Sequence, residues 1–277
     1  MPNPKQGWIE KFFGHRYAID ATRLGDDSLL AWSNLGYWQD QHHNYRLACQ
    51  SLADQIAISA QLKKIDRVLD LGCGQGASLL HWMDHYSIEQ LSAVELQPNC
   101  VKRIQTQLPE IHSYCESFLN LKALKLLNSF DAVLCVDAAY HSELNSFLSS
   151  VSPVLNSKGH LVFHYLMWSD TWRDCSNFKK QQYRYLLKSA DVNWQNLMNE
   201  QQLARTLSEQ GYGEVEIQDF SESVLNGFAT YIENRTTERK RFDLAQIKIE
   251  MTAKLCRKLY QDGLVRYIQI SAVKTRQ

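Results

Sequence analysis

The run Val68-Leu69-Asp70-Leu71-Gly72-Cys73-Gly74-Gln75-Gly76 constrains the fold of this chain more than any other segment. Its apolar half, with Ile65 before it, reads as a strand buried on both faces, the pattern of a central strand in a parallel sheet. Its second half holds Gly72, Gly74 and Gly76 directly before a helical pattern. Without a Cβ at these positions the backbone can take φ > 0 and a ligand can lie against it. One carboxylate, Asp70, stands between the halves.

Glycines between a strand and a helix also serve dinucleotides, and Gly72, Gly74 and Ala77 satisfy G-x-G-x-x-G/A. Asp70 weighs between the two ligands. A pyrophosphate is repelled by a carboxylate just before its cradle. S-adenosylmethionine (SAM) instead brings an ammonium and a sulfonium, and its own carboxylate meets the N–H groups of the helix start. In this run the chain resembles the class I SAM-dependent methyltransferases. The resemblance implies an α/β fold built on a doubly wound, seven-stranded, mostly parallel Rossmann-like sheet with N-terminal helices and helical lid insertions. It also implies SAM as cofactor and S-adenosylhomocysteine as its product.

The rest of the pattern suits such a sheet. Helices are expected over 77–85 and from Pro98 to about 107, and strands over 91–95, 111–115, 130–136 and 160–164, the last after a turn at 156–159. A helix over 200–210 and strands over 213–218 and 264–273 close the chain. Residues 1–64 read as a helical cap, with Tyr45, Ala48, Leu52 and Ile56 near helical spacing. Residues 65–277 form the core, interrupted by helical insertions at about 165–198 and 222–262. The second insertion would hold one long helix from about 229 to 260.

Composition narrows the partners. A chain of 277 residues suits one large core with additions, and Lys plus Arg equal Asp plus Glu at 30 each. No net field then draws the protein toward nucleic acid or anionic lipid, and a small-molecule acceptor fits better. The mixed basic run at 235–241 reads as a solvated helix face. Seven cysteines without C-x-x-C spacing point to reduced thiols in a cytoplasmic protein. No signal peptide or membrane span is expected. Nine His, including His42-His43, show no H-E-x-x-H, so no metal is expected, and there is no G-x-S-x-G elbow.

Ligands of open α/β sheets bind beyond the carboxyl ends of the strands, so residues there are the candidates. Glu95, at the end of the second strand, can accept both ribose hydroxyls of an adenosine, and Gln97 can border the adenine edge. Asp137 ends the fourth strand, where the methionine end would lie. By resemblance, Glu116 and Ser117 stand where relatives carry an acid and a small residue against the adenine amino group, although the usual pattern there is Gly-Asp-Ala. Asn34-Leu35-Gly36-Tyr37-Trp38 resembles the hGYW element of small-molecule methyltransferases of the tocopherol, macrolide and sterol-like type. Tyr37 and Trp38 would then cover the SAM methionine, since an aromatic face can meet a sulfonium.

Methyl transfer needs a base only when the nucleophile starts protonated. Tyr140-His141 follows the fourth strand, where some relatives have a catalytic His, and an imidazole titrating near neutrality suits a hydroxyl acceptor. Many relatives have Asp where this chain has His164, so His164 is either a second acid-base group or the sign of a different acceptor. Tyr165, Trp168, Trp172, Phe228 and Tyr231 would line an apolar acceptor pocket. The reading is a SAM-dependent methyltransferase acting at oxygen on a small organic molecule. A SAM-binding regulatory module without transfer activity is the alternative, and NAD-dependent redox chemistry the third.

Overall fold

The computed structural model describes residues 19–39, 44–235 and 243–275. Seven strands form one sheet: β1 (Arg67–Leu71), β2 (Gln90–Glu95), β3 (His112–Cys115), β4 (Phe130–Cys135), β5 (Leu155–Trp168), β6 (Tyr212–Asp219) and β7 (Val265–Lys274). Their order is β3-β2-β1-β4-β5-β7-β6. All neighbours run parallel except β7, which is antiparallel to both β5 and β6. The order reverses between β1 and β4, and the crevice beyond their carboxyl ends is where such sheets take a ligand.

Burial on both faces explains the apolar run of β1. Val68 belongs to the cluster on one face of the sheet, Leu69 and Leu71 to the cluster on the other, and all three are fully buried. Each such side chain contributes about 1.5–3 kcal/mol. The helices are α1 (Tyr45–Ser59), α2 (Ala77–Tyr86), α3 (Pro98–Gln107), α4 (Leu144–Val151), α5 (Asn177–Ser189), α6 (Glu200–Glu209), α7 (Gly227–Asn234) and α8 (Leu244–Asp262). Among the described residues none is long and apolar enough to cross a membrane.

Three expectations about the additions change. The first insertion does not begin at residue 165, because β5 continues to Trp168 in an unbroken ladder with β7 from His160↔Val273 to Trp168↔Val265. The single helix over 229–260 is two: α7 stops at Asn234, where Arg235 turns extended, and α8 restarts with Asp243 capping the N–H groups of Ala245 and Gln246. Ahead of α1, the described residues hold only the 3-10 turn Ala21–Leu24, and the rest is irregular chain. That chain is held by specific bonds, such as Asp26 accepting the Trp32 N–H at 2.9 Å and Asn34 accepting the Gly36 N–H at 2.8 Å. After β4, Ala139–His141 form a 3-10 turn, and α4 begins with Glu143 as its cap and Leu144, Phe147, Leu148 and Val151 at helical spacing.

Candidate functional site

The glycine loop leaves β1 with Gly72 N–H bonded to the Val94 carbonyl at 2.8 Å. Gly72, Gly74 and Gly76 all have positive φ, at 71°, 56° and 96°. A Cβ on Gly72 would come within 3.0 Å of Ala138 Cβ, and one on Gly76 within 3.0 Å of Ile104 Cγ1. Gly74 differs: a Cβ there would meet only Ser33 Oγ, at 3.3 Å. The loop is therefore packed at its ends and open in its middle. Helix α2 starts at Gly76 without a side-chain cap, which suits an anionic group at its first N–H groups.

Two carboxylates frame this cradle. Glu95 Oε2 accepts the Gly74 N–H at 2.9 Å and Oε1 accepts the Gln97 N–H at 2.8 Å, so the side chain braces the loop from β2. Gln97 precedes Pro98, the first residue of α3. Asp70 is fully buried, with Oδ2 accepting the Trp82 indole N–H at 2.7 Å. Its other oxygen, Oδ1, has no hydrogen-bond partner. Burial first, and the charge of Glu95 in addition, push its carboxyl up to about 6 against the pull of Ser78 and Trp82. An orphaned carboxylate oxygen and an open backbone cradle, side by side, fit a ligand with cationic and anionic ends, and SAM has both.

Glu116 and Ser117 are brought to the same edge through the Glu116 N–H, which donates to the Glu95 carbonyl at 3.2 Å. Their side chains serve the local turn: Glu116 Oε1 accepts the Ser117 N–H at 2.8 Å, and Ser117 Oγ accepts the Leu119 N–H at 3.2 Å. The residue that touches the glycine loop here is Phe118, 3.7 Å from the Cβ position of Gly72.

The irregular chain before α1 lies over the cradle. Ser33 approaches Gly74, Leu30 approaches Gly76, and Leu35 N–H donates to Asp137 Oδ2 at 2.9 Å. Tyr37 is partly exposed and meets Phe220 edge-on at 5.0 Å. Trp38 is buried against the last helical insertion. Its ring stacks on Tyr231 at 4.2 Å, its indole N–H donates to the Leu35 carbonyl at 2.8 Å, and Gly227 of α7 packs directly on it. These contacts anchor the segment to α7.

At the end of β4, Asp137 has φ 54°. Its carboxylate accepts from Leu35 N–H and, through Oδ1, from Tyr267 OH at 2.8 Å. Burial raises its carboxyl to about 6, although Tyr267, Leu35 and Tyr140 all favour the charge. Tyr140 packs against His141 at 4.5 Å and Tyr267 at 6.2 Å. His141 Nδ1 lies 3.2 Å from the Asp191 carbonyl oxygen. A carbonyl only accepts, so the ring proton sits on Nδ1 and the basic lone pair on Nε2. Burial lowers the imidazole's pKa, which keeps it neutral at pH 7.

His164 is not placed to exchange protons. It is fully buried, its Nδ1 accepts the Asp137 N–H at 3.2 Å, its Nε2 faces Gln269 Oε1 at 3.2 Å, and burial lowers its pKa to about 3. Nor do the five aromatic residues form one pocket. Tyr165 faces the opposite side of the sheet and donates to the Ser142 carbonyl, while Phe228 is core. Trp168 and Trp172 stack at 3.6 Å and, with Trp194, border a cleft of about 350 Å³. Among the described residues no group of three or more His, Cys, Asp or Glu is arranged to hold a metal, and His42, His43 and most of the basic run lie outside those residues. None of the seven cysteines is in a disulfide.

Sequence reasoning missed Ser33, Phe118, Tyr267 and Gln269. A polar residue at a core-facing position of an apolar strand was the available signal for Gln269, as it was for His164.

Residues 69–163 match the protein family described as a methyltransferase domain. The chain carries a methyltransferase domain. Over 209 residues the methyltransferase is 27% identical to erythromycin 3''-O-methyltransferase of Saccharopolyspora erythraea, an alignment covering 73% of this chain and 68% of that protein. Its fold is that of geranyl diphosphate C-methyltransferase from Streptomyces coelicolor A3(2), solved with Mg2+, geranyl diphosphate and S-adenosyl-L-homocysteine. The TM-score is 0.71 at 16% identity, over 99% of this chain and 98% of that one. A cyclopropane synthase from Mycobacterium tuberculosis aligns with a TM-score of 0.68 at 14% identity, over 94% of this chain and 93% of that one.

Proposed function

We propose that the methyltransferase transfers the SAM methyl group to a hydroxyl of a small organic molecule, with His141 as general base. Bound SAM supplies an electrophilic methyl on a sulfonium. On this reading Asp70 faces the cationic end, Gly72, Gly74 and Gly76 let the backbone approach, and Glu95 with Gln97 receives the ribose. Glu116 and Ser117 border the adenine, and Tyr37 narrows the crevice beside the methionine. The N–H groups at the start of α2 meet the carboxylate.

The observation that carries the base is the Nδ1 contact of His141 with the Asp191 carbonyl, which leaves the basic lone pair on Nε2 of a neutral ring. A neutral imidazole at the end of β4 can take the hydroxyl proton as the oxygen attacks the methyl, and Tyr140 fixes the ring from the side. The name of the Saccharopolyspora relative, an O-methyltransferase, points the same way. The balanced charges of the chain suit an acceptor that is not a nucleic acid.

Calorimetry with S-adenosylhomocysteine tests the cofactor half: micromolar binding is expected for the wild type and its loss for Asp70→Ala. Incubating extracts of hydroxylated natural products with methyl-labelled SAM, then identifying the product by mass, tests the acceptor. Label appearing only on nitrogen or carbon would remove the oxygen reading and with it the need for His141 as base.

A further inference from the structure

The core face of β5 and β7 carries a line of polar side chains that the transfer chemistry does not use. Gln269 donates through its amide nitrogen to the Gln55 carbonyl at 3.2 Å and Ser59 Oγ at 2.9 Å, both on α1. This turns its Oε1 toward His164 Nε2, at 3.2 Å. An amide oxygen only accepts, so the His164 proton sits on Nε2, and Nδ1 is left with the lone pair that accepts the Asp137 N–H. A second proton on Nδ1 would set two N–H donors against each other.

Asp137 sits in the left-handed region, which an L side chain adopts only when its surroundings hold it there. In that conformation its carboxylate reaches both Leu35 N–H and Tyr267 OH. Leu35 belongs to the same irregular segment that puts Ser33 against Gly74 and Leu30 against Gly76. Both carboxylate oxygens are thus engaged by donors that lie far from Asp137 in sequence, one in the covering segment and one in the last strand.

We propose that His164 is a positioning residue that holds Asp137 in its left-handed turn, and that Asp137 ties residues 30–38 over the glycine loop, so that the pair sets how firmly the cofactor is retained. The ligand's identity rests on the methyltransferase reading, while the tie itself is intramolecular. An Asp at position 164 would also accept the Asp137 N–H, but it would bring a second negative charge beside Asp137. A neutral imidazole avoids that.

Residue-resolved amide exchange on the full chain without cofactor tests the tie, and S-adenosylhomocysteine titration tests its consequence. His164→Ala is expected to speed exchange of the Leu35 amide about tenfold and to weaken S-adenosylhomocysteine about tenfold. His164→Asn, whose side-chain oxygen can take the place of Nδ1, should restore both to within about threefold. The Tyr37 and Trp38 amides bond to the Ala48 and Ser223 carbonyls and should keep their protection in both variants. Unchanged Leu35 exchange in His164→Ala, or equal loss at all three amides, overturns the proposal. If His164→Ala does not fold, Tyr267→Phe removes the other anchor of the same carboxylate and carries the same expectations. Failure of the wild type to bind S-adenosylhomocysteine would strike the cofactor reading instead, with Leu35 exchange still deciding the tie.

Discussion

Trp82 donates its indole N–H to Asp70 Oδ2 at 2.7 Å, so the carboxylate that ends β1 is held by the helix that follows the glycine loop. Replacing Trp82 with Phe keeps most of the ring's packing and removes the donor. A buried carboxylate then loses its indole donor, at an expected cost of about 1–3 kcal/mol. Urea unfolding followed by far-UV circular dichroism measures it, and an unchanged midpoint would contradict the assignment.

The three loop glycines should respond differently to alanine. All carry positive φ, which costs an added Cβ about 1 kcal/mol in each case. Gly72→Ala also drives its Cβ to 3.0 Å from Ala138, whereas Gly74→Ala meets only Ser33 Oγ at 3.3 Å. Thermal melts should show the larger loss for Gly72→Ala, and S-adenosylhomocysteine titration should show that Gly74→Ala, although folded, binds at least tenfold more weakly, about 1.4 kcal/mol.

Much of this site is legible in the primary structure, for a definite reason. Asp70, Glu95 and the glycines lie within or directly beside one strand-turn-helix pattern, where local spacing decides geometry. Pro98 likewise opens α3 where proline's fixed φ suits a first helical turn. The packing of Trp38 and His164 is not legible there, because it comes from partners remote in the chain: Tyr231 and Gly227 for the indole, Gln269 and Asp137 for the imidazole. An aromatic residue next to a glycine looks the same in sequence whether it covers a ligand or anchors a segment. The extension of β5 past residue 164 was hidden likewise, since nine pairings with β7 decide it.

Gly227→Ala tests the anchoring role of Trp38. A Cβ at position 227 would clash with Trp38 Cβ, so the indole or α7 must shift. Overpacking of this kind costs about 1–3 kcal/mol. The melting temperature should fall accordingly, and Trp38→Ala in the same background should relieve part of the strain in a double-mutant cycle.

Acid should expose the burial of His164. Its pKa is about 3 in the folded protein and about 6.5 in an unfolded chain, so between these values the unfolded state binds more protons. Its contribution to stability is complete above about 6.5 and is lost as pH falls toward 3, at up to about 1.4 kcal/mol per pH unit. Asp70 and Asp137, raised to about 6, work in the opposite sense, because the folded state holds their protons between about 4 and 6. Their favourable contribution is present below about 4 and gone above 6. His164→Asn removes only the first component, so its stability deficit against the wild type should shrink between pH 6.5 and 5 in urea titrations.

His141→Ala should lower kcat on a hydroxyl acceptor by roughly a hundredfold to ten-thousandfold and leave S-adenosylhomocysteine affinity unchanged. The rising limb of the wild-type pH profile should have its midpoint below 6.5, the direction in which burial moves this imidazole. A midpoint well above 6.5 would assign the base elsewhere.

The covering segment closes on the far end of the chain: Trp38 N–H bonds to the Ser223 carbonyl at 2.9 Å, and Arg23 pairs with Asp243 at 3.2 Å. During synthesis, residues 19–38 therefore meet Ala48 and Asp137 early and wait for Ser223 and Asp243 until the stretch beyond β6 has been translated. The sheet core through β5 can assemble first, whereas the covering segment gains these two contacts only after the stretch beyond β6 is made. A nascent chain arrested before residue 223 would carry the glycine loop with its cover tied to Asp137 and Ala48 alone, before the stretch around Ser223 can pin its end.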